Sequence, residues 1–449
     1  MSAVPTIKVI GAGLAGCEAA YAAARLGVKV ELYEMKPHKH SPAHHSNGFA
    51  ELVCSNSLRS NDTSNAVGLL KAELMSLGSL IMEAAYATEV PAGSALAVNR
   101  ELFSDYITEK IRNHPNITVI EGEVIEIPDE GITVIASGPL TSEALADSIS
   151  AYTGGGELHF FDAAAPIVDF STVDTSVAFF ASRYGKGNPE DYLNCPMTKE
   201  QYDVFYNELI HAKAAPLKAF DKELQEDLTV FEGCMPVEIM ASRGYDTLRY
   251  GPMKPVGLPD PRTGEDAFAT VQLRRENKEG TMYNIVGFQT HLTFGEQKRV
   301  FGMIPGLENA EFFRYGVMHR NTYLNSPGFL TPIYSVKKEG RIFFAGQMTG
   351  VEGYVESASS GFVAGVNAAM SALGRDAVIF PRETEIGALA HYVSEGGVSS
   401  SFQPMNANFG IIAPFEKKVK GGKKARNEAY AARSLEIIKS FSLFEAENN

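Results

Sequence analysis

At 449 residues with 45% hydrophobic side chains, the chain is longer than one core requires, so two domains are expected and a small module or a disordered segment is excluded. The 54 acidic residues against 40 basic ones give a net charge of −14, which excludes a global attractive field for nucleic acid and leaves any such contact to local patches. Four scattered cysteines without metal-ligand spacing argue against zinc and against a disulfide framework; no apolar run reaches the length of a membrane span, and residues 1–6 lead straight into a strand without a signal peptide, so the cytoplasm is the expected compartment.

The first predicted element is a buried strand at residues 7–10, followed by Gly11-Ala12-Gly13-Leu14-Ala15-Gly16, an alanine-rich helix, and a second strand from Val28 to Glu34. This is the Gly-x-Gly-x-x-Gly fingerprint in a βαβ setting. Gly11 permits the tight turn, Gly13 lets backbone approach a pyrophosphate at the helix N-terminus, and Gly16 lets helix pack on sheet. Glu34, 18 residues after Gly16, is placed to accept hydrogen bonds from a ribose. The motif alone does not separate FAD from NAD.

Residues 37–65 form a polar stretch rich in His, Ser and Asn, read as a lid beside the cofactor. Its His38, His40, His44 and His45 lack acidic partners and ligand spacing, so no metal site is expected. The apolar spacing predicts helices over 66–86 and 99–113, then strands across 117–135 ending in the turn Ser137-Gly138-Pro139. Aromatics, prolines and charges mix over 174–324, read as an inserted domain; residues 1–173 and 325–449 then build the dinucleotide domain. Near its end another strand, Arg341 to Phe344, runs into Gly346, Glu352-Gly353-Tyr354 and an Ala/Gly-rich helix reaching Ala369. A second strand, turn and helix with amides facing a flavin or pyrophosphate favours FAD. The expected fold is α/β: a Rossmann-like FAD-binding domain of the two-dinucleotide-binding flavoprotein type, with an inserted α+β domain.

Two thiols stand in unusual company. Cys54 is followed by Ser55, Asn56, Ser57 and Arg59, where a packing cysteine would have apolar neighbours and where a cation lowers a thiol pKa. Cys234 follows a glycine, precedes Met-Pro, and is flanked by Glu232 and Glu238 as potential proton carriers. Cys17 reads as a small buried hydrophobe beneath the dinucleotide, and Cys195 has no evident partner. His291, between Thr290 and Thr293, reads as a satisfied histidine at a domain junction unless a ligand meets it. Arg274, Arg275, Lys298 and Arg299 are cations suited to anionic groups, and the run from Lys417 to Arg426 is a basic patch in an acidic chain.

The fingerprint with Glu34, the Cys54-Ser-Asn-Ser-Leu-Arg loop, Phe231-Glu-Gly-Cys-Met-Pro236, Gly287-Phe-Gln-Thr-His291, Met303-Ile-Pro-Gly-Leu-Glu308 and Gly346-Gln-Met-Thr-Gly-Val-Glu-Gly-Tyr354 together closely resemble the bacterial folate- and FAD-dependent tRNA (uracil-5-)-methyltransferases, from residue 7 to about residue 432. The resemblance implies 5-methyluridine formation in the T loop of tRNA. Methylenetetrahydrofolate supplies the carbon, and FAD, reduced by NADH or NADPH, supplies electrons. It implies Cys234 as the uracil nucleophile and Cys54 as base or secondary thiol near the flavin, roles open to exchange. It places His291 against the pterin of folate, and Gly11, Ala12, Gly13, Leu14, Ala15, Gly16, Glu34, Gly346, Glu352, Gly353 and Tyr354 around FAD. A larger flavoprotein that modifies the wobble uridine shares the cofactor motifs but carries an extra helical C-terminal domain, for which this chain is too short. A small-molecule FAD oxidoreductase is the remaining alternative.

Overall fold

The computed structural model describes residues 4–41, 43–154, 160–186, 190, 192–215, 235–275, 280, 282–321, 323–395, 404–417, 419–441 and 443–444. The first strand, β1 (Thr6–Ile10), sits at the centre of a five-stranded sheet because Ile7, Val9 and Ile10 are covered from both faces. α1 (Leu14–Arg25) and β2 (Lys29–Glu34) follow. β3 (Ser57–Ser60), β4 (Glu89–Val90) and β5 (Ala95–Val98) make a small antiparallel sheet, and β6 (Ile117–Glu121) and β7 (Thr133–Ile135) return to the main one. A distant strand, Ile342–Phe344, closes its edge beside β7, and every pairing in this sheet is parallel. This is the doubly covered parallel sheet of an α/β domain.

Between the small sheet's strands lie α2 (Ala66–Ser76) and α3 (Leu80–Ala87), and α4 (Arg100–Arg112) follows β5. One helix was expected over 66–86. It breaks at Leu77–Ser79 because the buried Glu18 carboxylate, carried by α1, accepts the Ser79 hydroxyl at 2.7 Å and the Ile81 amide at 2.9 Å, so the second helix starts afresh on a tertiary cap. Gly78, at φ +76°, makes the reversal. The strands expected across 117–135 exist only at β6 and β7; Gly122–Ile132 between them is irregular.

α5 (Glu143–Thr153) precedes the second half of the molecule. Its strands are β8 (Phe160–Ala164), β9 (Ile167–Asp169), β10 (Phe179–Phe180), β11 (Tyr192–Met197), β12 (Ala269–Arg275), β13 (Met282–Ile285), β14 (Phe312–Arg314) and β15 (Val317–Asn321); the edge strand of the first sheet, Ile342–Phe344, is β16. Six of them form a second sheet in the order β10-β11-β12-β13-β9-β14, entirely antiparallel, around a core that includes Leu193, Val271, Tyr283, Phe288 and Phe301. Strand β9 lies before residue 174, so the second sheet starts earlier than the expected boundary. The reason is topological: β8 and β15 pair antiparallel as the chain enters and leaves, and β9 turns into the second sheet directly after β8.

The helices of this half are α6 (Lys199–Ile210), α7 (Val237–Ser242), α8 (Thr247–Tyr250) and α9 (Phe294–Phe301). α10 (Tyr354–Ala372), α11 (Glu385–Glu395) and α12 (Gly422–Lys439) complete the first domain. α10 packs against α1 at backbone contact: a Cβ on Gly361 would stand 2.2 Å from the Ala15 carbonyl oxygen, and one on Gly365 2.3 Å from that of Ala19. Buried Glu73 caps α11 as Glu18 caps α3, accepting the Glu385 and Ile386 amides at 2.8 and 2.7 Å. Burial pushes both carboxyls up to about 7.

Candidate active site

The β1–α1 turn builds a cradle from backbone. Gly11 holds φ +99°, and a Cβ there would lie 2.7 Å from the Ala136 carbonyl oxygen; a Cβ on Gly16 would meet the Gly11 oxygen at 1.7 Å. At Gly13 a Cβ meets nothing within 4 Å, since the residue faces open space as the N-cap of α1 with no side chain capping the helix. Its first-turn amides are therefore available to an anion. The Glu34 carboxylate accepts the Ala12 amide at 2.8 Å and the Lys36 amide at 3.0 Å, tying the end of β2 to the glycine turn.

These residues open into a cleft of about 900 Å³ lined by Gly11–Ala15, Glu34, the Ala136–Leu140 turn, Gly346, Gln347, Tyr354 and Ser357. A side chamber of about 380 Å³ between Tyr33, Glu34, Gly122, Val124 and Leu145 continues from the Glu34 end. On the opposite wall Gly346 (φ +83°) donates its amide to Ser360 Oγ at 2.7 Å, and Gly353 (φ +125°) starts α10 without a side-chain cap. Two uncapped helix N-termini, a glycine-lined cradle and a carboxylate beside a side chamber fit a dinucleotide such as FAD. Gly16, Glu352 and Gly353 do not line the cleft. They shape its walls: the Glu352 amide bonds the Met405 oxygen at 2.8 Å, and a Cβ on Gly353 would collide with Glu356.

The 37–65 stretch contributes Ser41, His44, Ala50, Glu51 and Val53 to the cleft. Lys36 lines it as well, buried, with Nζ on the Gly48 carbonyl oxygen. Burial, with the Lys36 charge beside it, holds the His44 imidazole below its usual range. Sequence weighed His44 only as a metal ligand and did not single out Lys36; only nearness to Glu34 in the chain offered a signal for their place in the cleft. Among the described residues no group of three or more His, Cys, Asp or Glu side chains is placed to hold a metal ion.

Half-buried Cys54 is bound to the cleft wall through its backbone. The Tyr354 hydroxyl oxygen accepts the Cys54 amide at 2.8 Å and the Ser55 amide at 3.3 Å. Arg274 donates to Ser55 Oγ, and the Asn56 side chain donates to the Arg275 carbonyl oxygen at 3.1 Å, so the same loop also touches β12 of the second sheet. Farther along, Arg59 (φ +63°) pairs with buried Glu356, and buried Lys71 donates to the Leu58 and Arg59 carbonyl oxygens at 3.0 Å each.

Burial pulls the Lys71 ammonium down to about 7 from an ordinary 10.5. Below pH 7 both folded and unfolded chains carry that proton; between pH 7 and 10.5 the unfolded chain binds it more strongly, so this group makes stability rise with pH across that window. Wild-type protein is therefore expected to gain on Lys71→Met by up to about 1.4 kcal/mol per pH unit between pH 7.5 and 9.5, read from urea unfolding. A constant difference between the two proteins would show that Lys71 is not the titrating group.

His291 does not line the cleft. Its amide donates to Glu238 Oε1 at 2.8 Å, and Thr290 Oγ1 donates to Glu238 Oε2 at 2.7 Å; burial raises the Glu238 carboxyl. Cys234 lies outside the described residues. On either side of the undescribed stretch 216–234 that contains it, two residues bond one segment: Ala215 donates its amide to the His291 oxygen at 2.8 Å and Val237 to the Gln289 oxygen at 2.8 Å. Cys17 and Cys195 are fully buried, with thiols pushed well above their ordinary range by burial, which removes both from nucleophilic chemistry.

The model of the family described as glucose inhibited division protein A matches residues 6–376. A protein of Acetivibrio thermocellus named methylenetetrahydrofolate--tRNA-(uracil-5-)-methyltransferase TrmFO is 61% identical over 97% of this chain and 98% of its own length. A protein of the same name from Heliobacterium modesticaldum is 59% identical over 97% and 98%. Among solved structures, GidA of Aquifex aeolicus superposes with a TM-score of 0.71 at 18% identity over 99% of this chain and 74% of that one, a likeness of fold. With the match spanning both sheets and the identities extending over nearly the full length, the chain belongs to the glucose inhibited division protein A family and, within it, to the methylenetetrahydrofolate--tRNA-(uracil-5-)-methyltransferases.

Proposed function

We propose that this protein forms 5-methyluridine in the T loop of tRNA in the cytoplasm, taking the carbon from methylenetetrahydrofolate. The observation that carries the reading is the bond from the Cys54 amide to Tyr354, which ties a thiol-bearing loop to the wall of a dinucleotide cleft. Bound FAD, reduced by NADH or NADPH, supplies the two electrons that take the transferred carbon from the methylene to the methyl level. The chain's own residues do the rest. Gly11–Ala15 and the first turns of α1 and α10 hold the pyrophosphate, and Glu34 meets the ribose.

Uracil C5 is a weak nucleophile until C6 carries an electron-rich substituent. The Cys234 thiolate adds to C6, and the electron pair released at C5 forms the bond to the folate-borne carbon. Cys54 removes the C5 proton, and the electron pair left at C5 expels tetrahydrofolate from the transferred carbon; once that carbon has gained the hydride equivalent that the reduced cofactor would supply, the Cys234 thiolate leaves C6 and the C5–C6 double bond is restored. His291 stands against the pterin in this reading. Purified protein given unmodified tRNA, labelled methylenetetrahydrofolate and a nicotinamide coenzyme should place label in uridine; transfer from labelled S-adenosylmethionine without folate would overturn the proposal.

Tyr354 acts through Cys54 as a positioning residue. Tyr354→Phe keeps the ring in the cleft wall and removes the oxygen that accepts two amides, so flavin content should stay normal while kcat falls about ten- to a hundred-fold through misplacement of the thiol. The KM for tRNA should hardly change. An unaltered kcat would remove Tyr354 from the mechanism.

A further inference from the structure

A column of aromatic rings stands on the second domain, beginning three residues after His291. Phe294 opens α9 and is 57% exposed. Behind it the Tyr315 ring lies 4.9 Å away between centroids at 17° between planes, and behind that Phe312 lies a further 5.1 Å away at 16°. Three nearly parallel rings thus end in an open face.

The column is built to stay in register. Buried Gln297 donates to the Leu292 and Gly316 carbonyl oxygens at 2.8 Å each and accepts the Gly316 amide at 2.8 Å, which locks the Tyr315 turn beneath the helix. A preset platform loses little conformational freedom when something lands on it. One helical turn from Phe294, on the same exposed face, stands Lys298. Among the described residues no carboxylate pairs with it, whereas its neighbour Arg299 is held by Glu296 at 2.7 Å and Glu208 at 2.5 Å.

We propose that Phe294 is a stacking platform for a nucleobase of the tRNA substrate, with Lys298 meeting an adjoining phosphate. The inference rests on tRNA being the substrate and specifies how it is held. A uridine must leave its stack before a thiol reaches C6, and an aromatic side chain replaces the stacking a neighbouring base then loses. The location suits this role, because Gln289–Thr293, the segment leading into Phe294, bonds both flanks of the stretch that contains Cys234. RNA is the occupant argued for because an exposed ring with a cation one helical turn away offers a base and its adjoining phosphate a partner each, and folate is the competing occupant that the test below tells apart.

The test compares Phe294→Ala, Phe294→Leu and Phe294→Trp. Because the ring is exposed, all three are expected to fold and retain flavin. Alanine and leucine should raise the KM for tRNA, and the Kd for unmodified tRNA in filter binding, about ten-fold or more, while tryptophan keeps both near wild type. kcat and the KM for methylenetetrahydrofolate should stay unchanged. Lys298→Ala should weaken tRNA binding and reduce its salt dependence by about one phosphate contact. Leucine behaving as wild type, or a rise confined to the folate KM, would overturn the platform. The binding measurement reads the platform even in a protein that transfers no label, so failure of the proposed reaction is told apart from failure of this inference; wild-type protein that does not bind tRNA would remove both.

Discussion

Wild-type protein incubated with tRNA carrying 5-fluorouridine at the target position is expected to form a covalent protein–RNA complex, and Cys234→Ala to form none. Fluorine cannot leave C5 as a proton does, so once a thiolate has added to C6 and the carbon has been attached, the adduct has no route to collapse. Cys54→Ala should still be trapped but turn over about 10²–10⁴-fold more slowly, the loss that follows removal of a proton-transfer group. Denaturing electrophoresis separates the outcomes. Trapping lost in Cys54→Ala and kept in Cys234→Ala would exchange the two roles. Normal methyl transfer by both variants with flavin bound would reject cysteine catalysis.

Gly13→Val is expected to yield folded, colourless protein. The steric argument is specific: a Cβ at this position meets no atom of the protein within 4 Å, so the chain tolerates it, but the side chain occupies the space where a pyrophosphate approaches the α1 amides. Flavin absorbance should vanish while the unfolding midpoint of the flavin-free protein stays near that of flavin-stripped wild type. Gly16→Val is the contrast, since its Cβ would stand 1.7 Å from the Gly11 oxygen and should prevent folding altogether. Full flavin content in Gly13→Val would move the cofactor elsewhere.

What could be read from the sequence was what depends on neighbours in the chain. The β1 turn, α1 and β2 are encoded within 29 residues (Thr6 to Glu34), and the strand, glycine turn and helix around Gly346 are similarly local, so both walls of the cleft were legible as motifs. The break at Leu77–Ser79 was not, because the carboxylate that caps α3 is 61 residues from Ser79. Nor was the anchoring of Cys54, whose amide meets a hydroxyl 300 residues away. The polar neighbours of Cys54 set it apart in the sequence; they gave no sign that Lys71, a helix residue, holds the carbonyl oxygens of Leu58 and Arg59. The reach of β9 into the second sheet was equally hidden, since three residues of strand carry no mark of which sheet they join.

The order of strands in the first sheet also bears on how the protein comes into being. A chain emerging from the ribosome presents β1, β2, β6 and β7 within its first 135 residues, whereas β16 and the helix packed against α1 follow only after the whole second sheet has been made. Until then α1 lacks the glycine-faced helix that covers it, and the cradle lacks Gly346, Gln347, Tyr354 and Ser357. Cofactor capture is consequently a late event in biosynthesis. A nascent chain stalled before residue 340 should be unable to retain flavin, and a cell short of riboflavin would accumulate full-length apoprotein rather than truncated intermediates.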